Sequence, residues 1–399
     1  MTTLKRVIKK IKITVLILIM LQMILCTGIQ SVDDNISVHS DIVEAPADQG
    51  SVGQTPIEEV IEIQPEIIEV QPEPVMVYYE GDVRHIFFHP LVAWTDMATA
   101  SSRRQDFLDW FVTADEYKQI LYELYMSDYV LVHIDELYEV TYSDNGSRIV
   151  RSKNPLIPEG KKPLALSIDD LSYHAYMRDG GVVHKLVLDE NGEIAAWTDN
   201  ESGGEISYDL DVVTILEGFI RQYPDFSIRG ARGIIALTGY EGVLGYQTQR
   251  TNASNYQDEV EKAIAVANRL RELNWRFASH SWGHRNLPEI TMALFIDDAN
   301  RWDREVRPIV GDTDLFIYPY GARLESHAEK HRMLRERGFA VFFGVGEGYG
   351  FTQYPGFLFT TRRNIDGYYF RIFSNRNYPD KLFDFDRVID REFRGISGR

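Results

Sequence analysis

Short apolar runs recur along the chain from about residue 77, and their lengths are typical of buried strands. They cover 86–88, 129–132, 164–168, 233–238, 276–279, 315–318, 340–343 and 357–361. Between the later runs, apolar residues return every three or four positions, which predicts amphipathic helices over 212–223, 256–273, 293–307 and 329–337. Strands that alternate with helices form parallel βαβ units. We therefore expect an α/β fold in which about seven strands close into a (β/α) barrel.

Two segments depart from this alternation. Thr113 and Glu116 have the spacing of a capping box and predict the start of a further helix. Residues 171–208 form an insertion with hairpin character, with strands predicted at 182–188 and 193–197.

Chemically capable side chains follow several of the predicted strands directly. They are His89, the adjacent pair Asp169 and Asp170, His280 with His284 four residues later, and the dipeptide Pro319-Tyr320. In a (β/α) barrel the carboxyl ends of all strands lie on one rim, where the active site is found. We therefore expect these residues to come together in the folded chain.

One carboxylate and two imidazoles can hold a divalent cation with open positions for water, which leaves the second carboxylate free to act as a base. Each motif alone is weak evidence. An Asp pair at a strand end can simply cap a helix, and two histidines four apart can belong to a surface loop. Their occurrence together, on successive strand ends, favours a hydrolytic site with one metal ion.

Three motifs resemble those of the polysaccharide deacetylases, the NodB-like carbohydrate esterases. Residues 167–170 read Ser-Ile-Asp-Asp, close to the family's T-F-D-D-G, and 280–284 match its H-[ST]-x-x-H. Residues 316–321 resemble its R-x-P-Y-G motif. The resemblance covers roughly residues 80–375. The upstream segment 87–92 looks like the poly-N-acetylglucosamine deacetylase branch, in which the barrel is circularly permuted.

The resemblance implies a role for each of these residues. Asp170, His280 and His284 would hold one divalent metal ion, for which we expect zinc, with cobalt, nickel or iron as alternatives. Asp169 would deprotonate the attacking water. The backbone N–H of Tyr320 would help to stabilise the oxyanion, and His89 would protonate the leaving amine. Arg362 or Arg363 would orient Asp169, and we place Arg363 in the predicted catalytic set.

The chain also departs from the family pattern. Leu171 replaces the usual glycine after the Asp pair, and Ile317 stands where many members carry arginine. No histidine follows His331, so the common carboxy-terminal acid is absent, and His89 fills that role only if the barrel is permuted. Aromatic residues of the 171–208 insertion could bind glycan, but we expect them to pack against the barrel. They are Tyr173, Tyr176 and Trp197.

The charge pattern divides the chain into three regions. The first 30 residues carry five basic and no acidic side chains, followed by an apolar run, which predicts a signal peptide or membrane anchor over 1–30. Residues 31–76 are acidic and rich in proline and predict a disordered linker. The catalytic domain would then span 77–399. We expect the protein to lie outside the cytoplasm, either secreted or tethered to the outer face of the membrane.

Composition limits the partners. The net charge of −18 disfavours binding to nucleic acid. The only cysteine is Cys26, so no intrachain disulfide can form. We expect a monomer that acts on an N-acetylated glycan, as a metal-dependent N-deacetylase of an extracellular N-acetylhexosamine polysaccharide. The alternatives are a non-catalytic carbohydrate-binding relative and a glycosidase that uses Asp169 and Asp170 as paired carboxylates.

Overall fold

The computed structural model describes residues 74–201, 203–373 and 381–396. The predicted signal or anchor segment and nearly all of the predicted linker lie outside these residues. The first strand begins at Met76, the last residue assigned to the linker. Within the described part of the chain, no helix combines the length and apolar character needed to cross a membrane.

Most strands coincide with the apolar runs of the sequence. In chain order the strands are β1 (Met76–Tyr78), β2 (Arg84–Phe88), β3 (Tyr129–Leu131), β4 (Tyr138–Tyr142), β5 (Arg148–Ser152), β6 (Leu156–Pro158), β7 (Lys162–Asp169), β8 (Lys185–Leu188), β9 (Ile194–Thr198), β10 (Glu205–Ser207), β11 (Ile234–Leu237), β12 (Arg276–Ser279), β13 (Leu315–Ile317), β14 (Val341–Val345), β15 (Thr352–Tyr354) and β16 (Phe357–Asn364).

Seven parallel strands close into a barrel, which confirms the predicted fold class. Their order around the barrel is β2, β7, β11, β12, β13, β14 and β16, and β16 pairs with β2 to complete the circle. The order around the barrel is therefore also the order along the chain. The short strand β3 adds beside the start of β7, and β15 pairs antiparallel with β16.

Helices cover the outside of the barrel. They are α1 (Thr95–Ala100), α2 (Arg104–Trp110), α3 (Ala114–Met126), α4 (Ala175–Asp179), α5 (Val212–Gln222), α6 (Tyr256–Glu272), α7 (Met292–Glu305), α8 (Arg307–Val310), α9 (Glu329–Glu336), α10 (Gly367–Phe373) and α11 (Phe385–Val388). The predicted capping box of α3 is confirmed, because Thr113 accepts a hydrogen bond from Glu116 N and Glu116 accepts one from Thr113 N.

The core has two parts, which follow from the alternation of side chains along each strand. One part fills the barrel with residues such as Ala165, Ile234, Ala278 and Phe343. The other lies between the barrel and its helices. At the carboxyl ends, the inward alternation places polar residues where the apolar filling ends, and this is the floor of the site described next.

Candidate active site

A cavity of about 730 Å³ opens at the carboxyl ends of the barrel strands. Six of the predicted site residues line it, together with side chains that the sequence analysis did not select. The predicted ones are His89, Asp169, Asp170, His280, His284 and Tyr320. A larger depression of about 1010 Å³, near Arg148 and Tyr354, contains none of them. Because chemistry rather than volume identifies a site, the smaller cavity is the candidate.

Asp169 is held at the floor of this cavity by an arginine. Arg362 Nη1 donates to Asp169 Oδ1 at 2.6 Å and Nη2 donates to Oδ2 at 2.9 Å, and both side chains are buried. Burial alone would raise the pKa of Asp169, but Arg362 and then His280 outweigh it, so the pKa lies below its ordinary value. Asp169 is therefore an oriented, ionised carboxylate.

The predicted place of Arg363 in the catalytic set needs correction. The salt bridge to Asp169 is formed by Arg362. The guanidinium of Arg363 pairs with Glu347 and lies over the ring of Tyr349. Successive side chains of β16 point to opposite sides of the strand, so Arg362 enters the barrel and Arg363 leaves it.

Asp170 faces the two histidines of the H-x-x-x-H motif. Its Oδ2 lies 3.6 Å from His284 Nε2, and its Oδ1 lies 3.5 Å from Nε2 of His174. Burial opposes ionisation of Asp170, but His284, His174 and His280 outweigh it, and the pKa falls well below its ordinary value. Asp170 is thus ionised, and its negative charge faces the imidazoles.

The loop after β12 fixes the two histidines. His280 Nδ1 lies 2.9 Å from Ile317 O, an arrangement that directs Nε2 into the cavity. The buried carboxylate of Asp298 accepts hydrogen bonds from Trp282 N at 2.9 Å and Gly283 N at 2.8 Å. Burial lowers the pKa of His284 to about 4, which keeps this imidazole neutral. Neutral imidazoles are the form that binds metal.

The ligand atoms of Asp170, His280 and His284 all lie within 4.8 Å of one another. Two imidazoles and one carboxylate form a donor set that suits zinc and similar divalent ions. Asp170 Oδ1 is buried and has no hydrogen-bond partner within normal distance among the described residues. Oδ2 of the same ionised carboxylate faces His284, on the side of the ligand set, which is the arrangement expected of a metal ligand.

Backbone strain is concentrated around these residues. Asp170, Ser281, His284 and Tyr320 have left-handed φ values of 59°, 59°, 49° and 57°. A left-handed φ costs free energy in residues other than glycine. It persists where the surrounding structure enforces it, often at functional sites. Tyr320 is 70% exposed, and its ring lies 4.4 Å from that of His284. The Pro319-Tyr320 turn therefore places the Tyr320 ring beside His284, one of the predicted ligands.

Sequence comparison identifies the region around the two histidines. Residues 246–339, about a quarter of the chain, match the family model described as polysaccharide deacetylase. Residues 246–339 are thus similar to a polysaccharide deacetylase domain. This confirms the resemblance drawn from the motifs and, with it, the predicted enzyme class of amide hydrolase. The Asp pair lies outside the matched residues, so the geometry alone joins it to the histidines. No curated protein sequence matches the chain.

Solved structures of deacetylases share part of this fold. PplD of Streptococcus pyogenes, in complex with acetate, is 14% identical with a TM-score of 0.39, covering 74% of this chain and 94% of that one. A polysaccharide deacetylase from Bacillus cereus is 11% identical (TM-score 0.40; 77% and 69% covered). A de-N-acetylase from Aggregatibacter actinomycetemcomitans is 13% identical (TM-score 0.40; 77% and 100% covered). At these values, the family match and the site geometry carry the assignment.

Two of the three departures from the family motifs have structural explanations. Leu171 is fully buried in the outer core and does not have a left-handed φ, so no glycine is required there. Ile317 fills the barrel interior, where the family motif would supply an arginine. Arg362, from the last barrel strand, provides the cationic contact to Asp169 instead.

The walls of the cavity include residues that the sequence analysis missed. The short helix α2 and the residue before it contribute Arg103, Asp106 and Trp110, and the segment after β16 contributes Asp366 and Tyr368. Asp366 lies two residues after the observed end of β16 but five after the end of the predicted strand, so the rule that selected Asp169 missed it. The α1–α2 segment gave no such signal, because the two helices bury one residue each, Ala98 and Phe107.

His89 lies in the same wall. It follows β2, and its ring packs against Phe87 and Phe111 at centroid distances of 5.8 and 5.7 Å. The buried carboxylate of Asp366 lies near enough for His89 to lower its pKa, although burial dominates and raises that pKa overall. His89 is thus brought to the cavity, as the prediction of an acid at this position requires.

Proposed function

We propose that the protein is a metal-dependent N-deacetylase that removes acetyl groups from an N-acetylhexosamine polysaccharide outside the cytoplasm. One observation carries the proposal. Asp170, His280 and His284 converge on one point of the cavity, and beside them Asp169 is kept ionised by Arg362. A set of metal ligands beside a carboxylate that does not itself bind the metal is the arrangement that hydrolysis of an unactivated amide needs.

The ligand residues would hold one divalent cation, with zinc expected first. Such an ion supplies Lewis acidity toward a carbonyl oxygen and makes a nearby water more acidic. The contribution of this chain is to present one carboxylate oxygen from the end of β7 and two imidazoles from the loop after β12, on either side of β11 and at the end of a packed barrel interior.

Asp169 is the proposed general base. Its two oxygens accept hydrogen bonds from the two Nη groups of Arg362. These bonds fix the plane of the carboxylate and keep it ionised. A base must be ionised when water attacks the acetamide carbon, and a positioned base typically contributes about 10²- to 10⁴-fold in rate.

Two further groups would complete the reaction. His89 would donate a proton to the nitrogen as the carbon–nitrogen bond breaks, so that the product leaves as a neutral amine. The N–H of Tyr320 would donate to the oxygen that becomes negative, which is why its fixed left-handed conformation matters.

The size and lining of the cavity support a glycan substrate. Trp110 and Tyr368 stack at 5.6 Å with an interplanar angle of 27°, yet remain 45% and 40% exposed at the cavity edge. Exposed aromatic faces beside a polar floor suit a sugar ring. The carboxylates of Asp106, Glu241 and Asp366 favour a neutral or cationic polymer over an anionic one.

The alternatives are less well supported. A glycosidase needs one carboxyl group that stays protonated until it acts as the acid. Asp169 and Asp170 both have lowered pKa values, and each is surrounded by cationic or imidazole groups. A non-catalytic binding protein would have no use for a base held by a buried arginine. The location outside the cytoplasm is supported by the basic and apolar residues of segment 1–30.

Metal content and acetate release test the proposal together. We expect purified protein to contain about one divalent ion per chain, and His280→Ala and His284→Ala to lose it. We expect acetate release from poly-N-acetylglucosamine, chitin or peptidoglycan oligomers to require the ion. Asp169→Asn should keep the metal and lose about 10²- to 10⁴-fold in turnover.

Asp209→Asn is the matched control for the carboxylate change, because Asp209 is exposed and accepts a hydrogen bond from Ser207. It should keep both metal and turnover. Equal metal in the wild type and both histidine variants would contradict the ligand set. Near wild-type turnover of Asp169→Asn would show that Asp169 is structural.

A further inference from the structure

A third buried histidine lies against the predicted ligand set. His174 is 1% exposed, and its Nε2 lies 3.5 Å from Asp170 Oδ1. Within the described part of the chain, neither ring nitrogen of His174 has a hydrogen-bond partner, and Asp170 Oδ1 has none either. Buried polar groups are normally paired, so an imidazole aimed at a ligand carboxylate requires an explanation.

The chain around His174 fixes the ring in this place. Tyr173 has a left-handed φ of 52°, and its hydroxyl donates to Asp211 at 2.8 Å. The ring of His174 stacks on Tyr240 at 4.6 Å with an interplanar angle of 20°. Ala175 N donates to Glu241 at 2.7 Å, which holds the residue that follows. The imidazole therefore has little freedom to turn away from Asp170.

The two oxygens of Asp170 face different partners. Oδ2 faces His284 at 3.6 Å, on the side of the ligand set, whereas Oδ1 faces His174. The three converging ligand atoms belong to Asp170, His280 and His284, and His174 is outside this group. Glu241 lies 3.9 Å from His174 Nδ1, which is too long for a hydrogen bond.

We propose that His174 is a positioning residue for the metal site. It donates from Nε2 to Asp170 Oδ1 and so turns Oδ2 toward the cation. The contact of 3.5 Å is longer than a normal hydrogen bond, and it would shorten when a cation binds Oδ2. Partners of this kind orient metal ligands and tune affinity for the ion. The inference rests on the proposed function, and none of the motifs named above includes residue 174.

Zinc affinity, measured on the full-length protein by competition with a chelator, tests this role. His174→Leu should weaken zinc binding by about 10- to 100-fold. His174→Gln, whose amide N–H can replace Nε2, should restore affinity to within about threefold of the wild type. The absorption spectrum of the cobalt-substituted protein should be the same in the wild type and both variants, because the ligands themselves are unchanged.

His331→Leu is the matched control. His331 is also buried, with its ring 4.4 Å from Phe342 and 4.5 Å from Phe357, and it does not line the cavity. Its substitution removes a buried imidazole and should leave zinc affinity unchanged. Circular dichroism of the metal-free proteins checks that each variant folds.

The outcomes separate the inference from the proposed function. Wild-type affinity in a folded His174→Leu protein, or equal losses in the Leu and Gln variants, would overturn the positioning role alone. A changed cobalt spectrum would make His174 a direct ligand and would also overturn it. A wild-type protein that binds no metal would overturn the proposed function and this inference together.

Discussion

Arg362 shows how a single residue can compensate for a missing motif position. The third motif lacks its arginine at Ile317, and the guanidinium that contacts Asp169 comes from Arg362 on a different strand. The sequence Thr360-Thr361-Arg362-Arg363 could not decide which arginine faces inward, because both faces of β16 are buried and no polar alternation marks the inner side. The side of β16 that each arginine faces therefore decides that Arg362 contacts Asp169.

Substitution of Arg362 should therefore damage catalysis through Asp169. We expect Arg362→Gln to reduce kcat/KM by about 10²-fold or more, since an unpaired buried carboxylate is less readily ionised. The pKa of Asp169 should rise, because Arg362 is the largest of the cationic influences that lower it. The acid limb of the pH–rate profile should accordingly move to higher pH, as measured by acetate release.

The neighbouring arginine provides the control for this experiment. Arg363→Gln removes an equally buried guanidinium from the same strand but leaves Asp169 paired. Its pH profile should keep the wild-type acid limb. If both variants shift the acid limb equally, Arg362 does not act specifically on Asp169.

At the scale of elements, β2 is the strand that completes the site. It pairs with β7 through residues such as Ile86 and Leu166, and with β16 through Arg363 and Ile86. The first barrel strand of the chain therefore lies beside the strand that carries the Asp pair. Assignment to the permuted branch of the family remains a prediction, but the position of β2 is the one that it requires for His89.

The role of His89 follows from this placement. We expect His89→Gln to keep metal and fold and to lose about 10²- to 10⁴-fold in turnover, because the amine would leave without a positioned acid. The alkaline limb of the pH–rate profile should change, since it reports loss of the proton from the acid. His327→Gln, at an exposed histidine away from the cavity, is the control. An unchanged profile with unchanged turnover would assign the acid to another group.

The elements that the sequence predicted well are those with a clear period. The helix Tyr256–Glu272 was predicted within one residue, because its buried face repeats over several turns. The strand Arg276–Ser279 was predicted from its position as a short run between two helical patterns. The β4–β5 hairpin was not predicted, because most residues of Tyr138–Tyr142 are half-buried or exposed and form no apolar run. The part of the cavity wall formed by α2 was not predicted, because a helix of seven residues is too short to show a period.

The 171–208 insertion behaves mainly as packing. Tyr173 is buried against Asp211, and Trp197 lies beside Lys185 in the hairpin sheet, while Tyr176 lines the cavity. The expectation that these aromatics pack is therefore met for Tyr173, and one aromatic reaches the cavity. The sequence could not separate these roles, because aromatic residues are common in hairpins whatever their function.

At the scale of the whole molecule, stability and the site are linked through Asp211. Its carboxylate is fully buried, accepts a hydrogen bond from Val213 N as the N-cap of α5, and accepts another from the Tyr173 hydroxyl next to His174. Burial raises the pKa of Asp211 to about 6 despite these bonds. The same contact that fixes the loop of His174 therefore carries a dependence on pH.

The sign of this dependence follows from proton binding. In the unfolded chain Asp211 ionises near pH 4, whereas in the folded chain it holds its proton up to about pH 6. Between these values the folded state binds more protons than the unfolded state, so the free energy of unfolding falls as pH rises from 4 to 6. Above pH 6 Asp211 contributes no further change. Asn caps a helix as well as Asp does and cannot ionise. We therefore expect Asp211→Asn to gain stability relative to the wild type from pH 4 to pH 6, by at most about 3 kcal/mol.

Urea unfolding of the two proteins at several pH values between 4 and 7 measures the difference directly, because the contributions of all other groups cancel. Asp209→Asn, two residues earlier and exposed, should show a difference from the wild type that does not vary with pH in this range. A constant difference between Asp211→Asn and the wild type would mean that the folded protein holds Asp211 ionised already at pH 4. The Tyr173 hydroxyl would then donate to a charged Asp211 carboxylate throughout this pH range. The position of the loop that presents His174 to Asp170 would not depend on protonation of Asp211.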